Sequence, residues 1–246
     1  MTLPLLLMAG FMLFGLFSLW AWRAHAERGR GMASAAAANG LQFSYDDPFN
    51  STRVPFKLFR LGDERQAQNV MWGRATDGAP VRVFDYSYWS VEEEHGTAAG
   101  FGLALGSDDG MTRRRTHSHR VLTCALTEVE AVWPHLIIQP EGLTGRVLDR
   151  LGLRDIEFES EEFNHAFEVV CEERRFASDF VDPQMMEFLL STNGKCRFEI
   201  RGRWVLVATE RVSPALAPSL IALSTELRER VPAVVWDVYP TLPSPA

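Results

Sequence analysis

Two histidines, His117 and His119, stand two residues apart in Thr-His-Ser-His-Arg, and His95 closes a Glu-Glu-Glu-His run. On a strand, side chains two apart share a face and can hold one ion. Structural metal sites, however, repeat paired Cys or His at tight spacing, and this chain has no such repeat. His95, His117 and His119 are metal candidates by residue type alone, and a solvated loop accounts for them better. Asp85, Tyr86 and Tyr88 sit together in Phe-Asp-Tyr-Ser-Tyr-Trp, where a ligand-lining strand is conceivable. Tyrosines and tryptophans on one sheet more often serve as core and rim.

Other stretches fail on context. The glycines at 100, 102 and 106 imitate a phosphate loop, but such a loop follows a strand and opens a helix, and here Asp108 and Asp109 would repel phosphate. The acidic run at 157–162 alternates with Ile156 and Phe158, which is the pattern of a solvent face. His165 and Cys171 have the types of a base and a nucleophile. Their period-2 placement with Phe163, Phe167 and Val169 predicts packed, inert side chains on a strand. Neither a nucleophile elbow nor a zinc-protease helix occurs. No catalytic residue and no cofactor is assigned from the sequence.

The elements that would position these residues begin with a span. Residues 3–22 carry no charge, and twenty helical residues reach about 30 Å, the thickness of a bilayer's hydrocarbon layer. Trp20 and Trp22 end the run and Arg23 closes it, as interface residues do. A cleaved signal peptide is the rival reading, since Ala24-His25-Ala26 resembles a cleavage site. The run is long for a signal peptide and lacks a basic segment before it, which favours an uncleaved transmembrane helix. Arg23, Arg28 and Arg30 follow the span, so the positive-inside rule places the rest in the cytoplasm.

Without residues 1–30, three arginines and one glutamate are lost; 22 basic and 31 acidic residues remain, a net charge of −9. That balance argues against a nucleic-acid partner, and against broad attraction to anionic lipid. Three widely spaced cysteines in apolar runs look like reduced core thiols.

Residues 23–40 read as a juxtamembrane helix or linker ending at Gly40. A soluble domain at 41–239 follows, divisible at 152/153 into 41–152 and 153–239. Strands are expected at 69–75 and 81–89 around an Asp77-Gly78 turn, then at 119–129 and 134–141, with a long loop at 90–116. A short helix at 142–152, a second hairpin at 155–173 and a helix capped by Asp182-Pro183 come next. A hairpin about Gly202, a helix at about 215–230 and a flexible tail at 240–246 complete the chain. The fold class expected is α+β, mostly antiparallel sheet with packed helices, preceded by one transmembrane helix.

The stretches NVMWGRATDGAPVRVFDYSYW, LIIQPEGL, DIEFESEEFNHAFEVVCEERRFASDFVDPQMMEFLL and VPAVVWDVYP carry a resemblance across residues 40–239. Together they resemble an actinobacterial family with one N-terminal transmembrane helix and a soluble domain of unknown function. The resemblance implies a single-pass protein of the cell membrane and no particular activity. The function expected is therefore a membrane-anchored cytoplasmic interaction or scaffold protein, with the bilayer at 3–22 and a protein as its partners. The alternative is a ligand- or metal-responsive module, or a cryptic hydrolase, built on residues 90–119.

Overall fold

The computed structural model describes residues 2–94, 114–141 and 156–239, without side chains for part of 2–22 and for 90–94 and 114–117. The expected helix at 142–152, the tail at 240–246 and His95 lie outside the described residues.

One helix, α1 (Thr2–Ala38), runs unbroken through both the apolar run and the segment expected to be a linker. It stops where the sequence places the stop. Gly40 takes φ 67°, Leu41 N–H donates to Ala36 O and Gly40 N–H to Ala37 O, the pattern that closes a helix on a left-handed residue. The last third of α1 is core, with Met32 and Ala36 fully buried, because a small/large apolar stripe there meets the sheet.

Among the described residues, the sheet has six antiparallel strands: β1 (Gln42–Asp46), β2 (Arg65–Arg74), β3 (Pro80–Glu94), β4 (Arg114–Pro140), β5 (Phe167–Cys171) and β6 (Cys196–Glu210). Strand β4 is its spine. It pairs with β3 along its first half, with β5 at its end, and with β6 from Leu122 to Ile138. The division at 152/153 thus does not separate two sheets, since β5 and β6 both pair with β4.

Two expected breaks are bends within strands. Residues 119–129 and 134–141 belong to the single strand β4, and Pro134 falls where the β4–β6 register shifts, at Trp133. A proline lacks the ladder donor and is accepted at such an irregularity. Gly202, at φ 60°, lies opposite Trp133 and bends β6 where a hairpin was expected. The expected loop at 90–116 is also shorter, because β3 and β4 extend the ladder to Glu94↔Arg114.

The hairpin expected at 155–173 is replaced at its centre by the helix α2 (Glu161–Ala166). Ser160 caps it by accepting Phe163 N–H, and Glu161 and Glu162 sit in its first turn, where the helix dipole favours acids. This local signal overrides strand alternation: Phe163 is buried, but His165 is exposed rather than packed in the core. The helices α3 (Arg174–Phe180) and α4 (Pro183–Ser191) follow; Asp182 accepts Met185 N–H at 2.8 Å and Pro183 occupies the first turn, as expected. The chain ends in α5 (Ser219–Glu229) and α6 (Ala233–Val238).

Helices cover one face of the sheet. Trp133, Phe176, Phe180, Trp236 and Tyr239 form an aromatic cluster there, with Val83, Ala125, Phe198 and Val207 from the strands. The other face is covered by a strap at residues 51–61 with two 3-10 turns, Ser51–Arg53 and Leu58–Arg60. Its Phe56, Leu58 and Phe59 pack on Phe84, Tyr86, Leu126 and Leu206. Burial on both faces explains the unbroken apolar stretches at 136–138 of β4 and 205–208 of β6.

Candidate functional site

Among the described residues, each face of the sheet holds one buried carboxylate, and each fastens a different covering element. On the helix face this is Asp85 of β3, fully buried. Arg28 of α1 meets it as a fork, with Nε donating to Oδ2 at 2.9 Å and Nη2 to Oδ1 at 2.6 Å. Its third nitrogen, Nη1, donates to Val212 O at 2.5 Å. Charge-assisted bidentate pairing of this kind fixes direction as well as distance.

The surrounding backbone is shaped for the pair. A bulge in β2 between Gln68 and Met71 puts Asn69 at φ 54°, a left-handed conformation that Asn tolerates. From there Asn69 Nδ2 donates to Asp85 Oδ2 at 3.0 Å. Thr123, the register partner of Asp85 on β4, lies 3.5 Å from Oδ1 and accepts Val212 N–H at 3.2 Å. The helix comes this close because residues 29 and 31 are glycines. A Cβ on Gly29 would stand 2.6 Å from the Tyr45 ring, and one on Gly31 2.8 Å from Pro214.

On the strap face the carboxylate is Glu199 of β6, also fully buried. It accepts the amides of Lys57 and Leu58, the latter at 3.1 Å, and so holds the start of the second 3-10 turn. His135 Nε2 lies 2.8 Å from Oε1 and Arg197 Nη2 donates to Oε2 at 2.9 Å. Arg197 continues to Gln139 at 2.8 Å, and Gln139 to Glu168 at 2.8 Å. Burial pushes the Glu199 carboxyl up, but the His135 hydrogen bond, the Arg197 charge and the Lys57 amide outweigh it, so it sits below the usual carboxylate range. A His–Glu contact of this length suits proton transfer. Here both groups lie under the strap and their bonds go to structure.

The residues singled out in the sequence are therefore dispersed. Asp85 and Tyr86 point to opposite faces, as neighbours on a strand must. Asp85 is used in docking α1, and Tyr86 is buried with its hydroxyl donating to Leu58 O at 3.2 Å. Burial raises the Tyr86 phenol well above its ordinary range. Tyr88 packs beside Tyr86, ring centroids 5.7 Å apart. His119 is exposed and stacked on Trp89 at 4.4 Å, while the His117 side chain lies outside the described residues. Cys171 is buried far in character from a nucleophile, burial pushing its thiol up to about 11, and exposed His165 is not its partner. Among the described residues, no group of three or more His, Cys, Asp or Glu could hold a metal ion.

Sequence reading missed the Glu199–His135 network and gave Arg28 the role of a free flanking charge. The available signal was a polar residue inside an apolar strand run, as with His135 in Trp-Pro-His-Leu-Ile-Ile and Glu199 in Arg-Phe-Glu-Ile. Among the described residues, no helix is long and apolar enough to cross a membrane, and many side chains of the run at 3–22 lie outside those residues. Of the side chains described there, Met8, Met12, Leu13, Leu16, Leu19 and Trp20 are exposed.

Two measurements test these docks. Asp85→Ala leaves Arg28 buried without its counter-charge and should destabilise the domain by about 3–5 kcal/mol in urea unfolding. Arg28→Met with Asp85→Leu should recover most of that loss; a double variant as unstable as Asp85→Ala would deny the pairing. For Glu199 the folded carboxyl is depressed, so its stabilisation is full above the ordinary carboxylate range and is lost as pH falls through that range to the folded value. The parent should therefore lose stability on acidification below about pH 4 more steeply than Glu199→Gln. Equal slopes would remove Glu199 from the acid response.

No protein-family model matches the chain, and no curated protein matches it. The crystal structure of the mycobacterial trehalose monomycolate transport factor A, TtfA, is similar over 88% of this chain and 98% of that one, with a TM-score of 0.56 and 16% sequence identity. At that identity the likeness shows a shared α+β fold.

Proposed function

We propose that this chain is a membrane-anchored interaction protein of the actinobacterial type, with residues 3–22 of α1 in the bilayer and the α+β domain on the cytoplasmic side. The observation that carries the reading is the continuity of α1. One helix joins an apolar run with exposed Met8, Met12, Leu13, Leu16 and Leu19 to a segment locked into the domain by Arg28 and Asp85. A water-soluble domain has no use for such a projecting apolar helix, whereas a bilayer or a membrane protein covers it.

Arg23 and Arg30 are exposed on either side of the dock and supply the positive flank; Arg28 is withdrawn from it by its burial. The neighbour's printed name, a transport factor for trehalose monomycolate, favours a membrane transport assembly as the partner of a domain built this way. Both buried carboxylates serve docking, which favours a binding module over an enzyme.

A phosphatase that matures only outside the cytoplasm, fused after Ala246, should be inactive in cells, and the fusion should stay with the membrane through alkaline extraction. Deletion of residues 2–22 should release a folded domain, since every residue of the Arg28 dock is retained. Phosphatase activity would contradict the cytoplasmic side, and release of the full-length chain by alkali would contradict the anchor.

A further inference from the structure

We propose that the β3–β4 ribbon gives the domain a second contact with the bilayer, laying the Trp89 ring on the interfacial headgroup zone beside the point where α1 enters it. This rests on the anchor reading above and adds a residue and a surface to it.

The geometry follows from register. Leu41, just past the end of α1, packs on Gly73, and Gly73 pairs with Val81 of β3. Arg28, toward the apolar end of α1, holds Asp85. The helix read toward its N-terminus and β3 read toward its C-terminus therefore travel the same way. From Arg28 to Trp22 is six residues of helix, about 9 Å. From Asp85 to Trp89 is four residues of strand, about 13 Å, less whatever the twist of the ribbon turns sideways. Trp89 thus arrives near the level of Trp20 and Trp22, where the apolar run ends.

Trp89 is also built to stay there. Its carbonyl accepts Asp63 N–H at 2.9 Å and its amide donates to Glu64 O at 3.1 Å. Gly62 makes the approach possible, at φ 70° and with room for no side chain: a Cβ would meet Trp89 O at 2.2 Å. With its amide and carbonyl both bonded to the segment at 63–64, the ring remains 43% exposed and stacks on His119. A rigid, exposed, amphipathic ring at that level suits the bilayer interface, where Trp is favoured.

Charge sets the depth and the lipid. Beyond Trp89 the strands carry Glu92, Glu93 and Glu94 opposite Thr116, Arg115 and Arg114. Such residues are excluded from hydrocarbon, so the ribbon rests along the interface and goes no deeper. Arg65 and Arg120 pair with Tyr88 and so lie on the opposite face of the ribbon from Trp89, while exposed Asp63 and Glu64 adjoin the Trp89 backbone, so the contact does not depend on anionic lipid.

The test is spin-label depth in the full-length protein, reconstituted in phosphatidylcholine bilayers with and without phosphatidylglycerol. Labels are placed singly at Trp89→Cys, at Leu16→Cys in the apolar run and at Thr76→Cys on the far β2–β3 turn; the native cysteines are buried. The expected result is a deep label at 16, an aqueous label at 76, and at 89 an oxygen-to-nickel accessibility ratio shifted to the headgroup value in both lipids. A label at 89 as aqueous as that at 76, with 16 deep, overturns the ribbon contact alone. An aqueous label at 16 overturns the anchor reading and the ribbon contact with it. His119→Cys reads the same face should the Trp89 variant fail to fold.

Discussion

The buried fork between Arg28 and Asp85 is the constraint on which the rest of this structure depends. A guanidinium and a carboxylate taken out of water are tolerated only where geometry is good and the remaining polar atoms are satisfied. Here Asn69, Thr123 and the Val212 carbonyl complete the shell, and each comes from a different part of the chain. The bulge in β2, the glycines of α1 and the turn after β6 all have a physical reason in that one contact. An apolar pair would pack α1 as tightly, but it would not fix the helix's rotation and height so narrowly.

That fixation links the fold to its proposed role. A domain tethered by a flexible linker samples many orientations at a membrane, and its partners meet it at a correspondingly low effective concentration. A helix that is continuous from the apolar run into the core leaves few orientations. In the proposed setting, the domain's long β3–β4 ribbon, its strap face and its helix face would then take defined positions relative to the bilayer. Glu199 does for the strap what Asp85 does for the helix: it pins a covering element by its backbone amides, so both faces of the sheet are closed.

Legibility in the sequence followed the range of the interactions. The Asp77-Gly78 turn, the Asp182 cap, the Gly40 stop and the mostly antiparallel sheet are local signals, and each appears in the structure. The strand start expected at 134 and the hairpin expected about Gly202 follow from the local meaning of Pro and Gly as breaks, whereas the long β4–β6 pairing carries both strands through them with shifts of register. Residues 161–166 alternate like a strand, yet Ser160 and two first-turn acids favour a helix. The pairings that make the docks were not legible, although a polar residue inside an apolar run marks His135 and Glu199 singly. Arg28 and Asp85 are 57 positions apart, and His135 and Glu199 are 64 apart, so nothing local marks them as partners.

Amide hydrogen exchange on the full chain in bilayers tests most directly whether α1 and the domain are one body. If the Arg28–Asp85 dock holds, the amides of residues 32–38 exchange only with the global opening that exposes core β4 residues such as Leu126. Exchange of residues 32–38 at rates far above those of β4, while β4 stays protected, would show a helix that lifts from the sheet and would contradict the account.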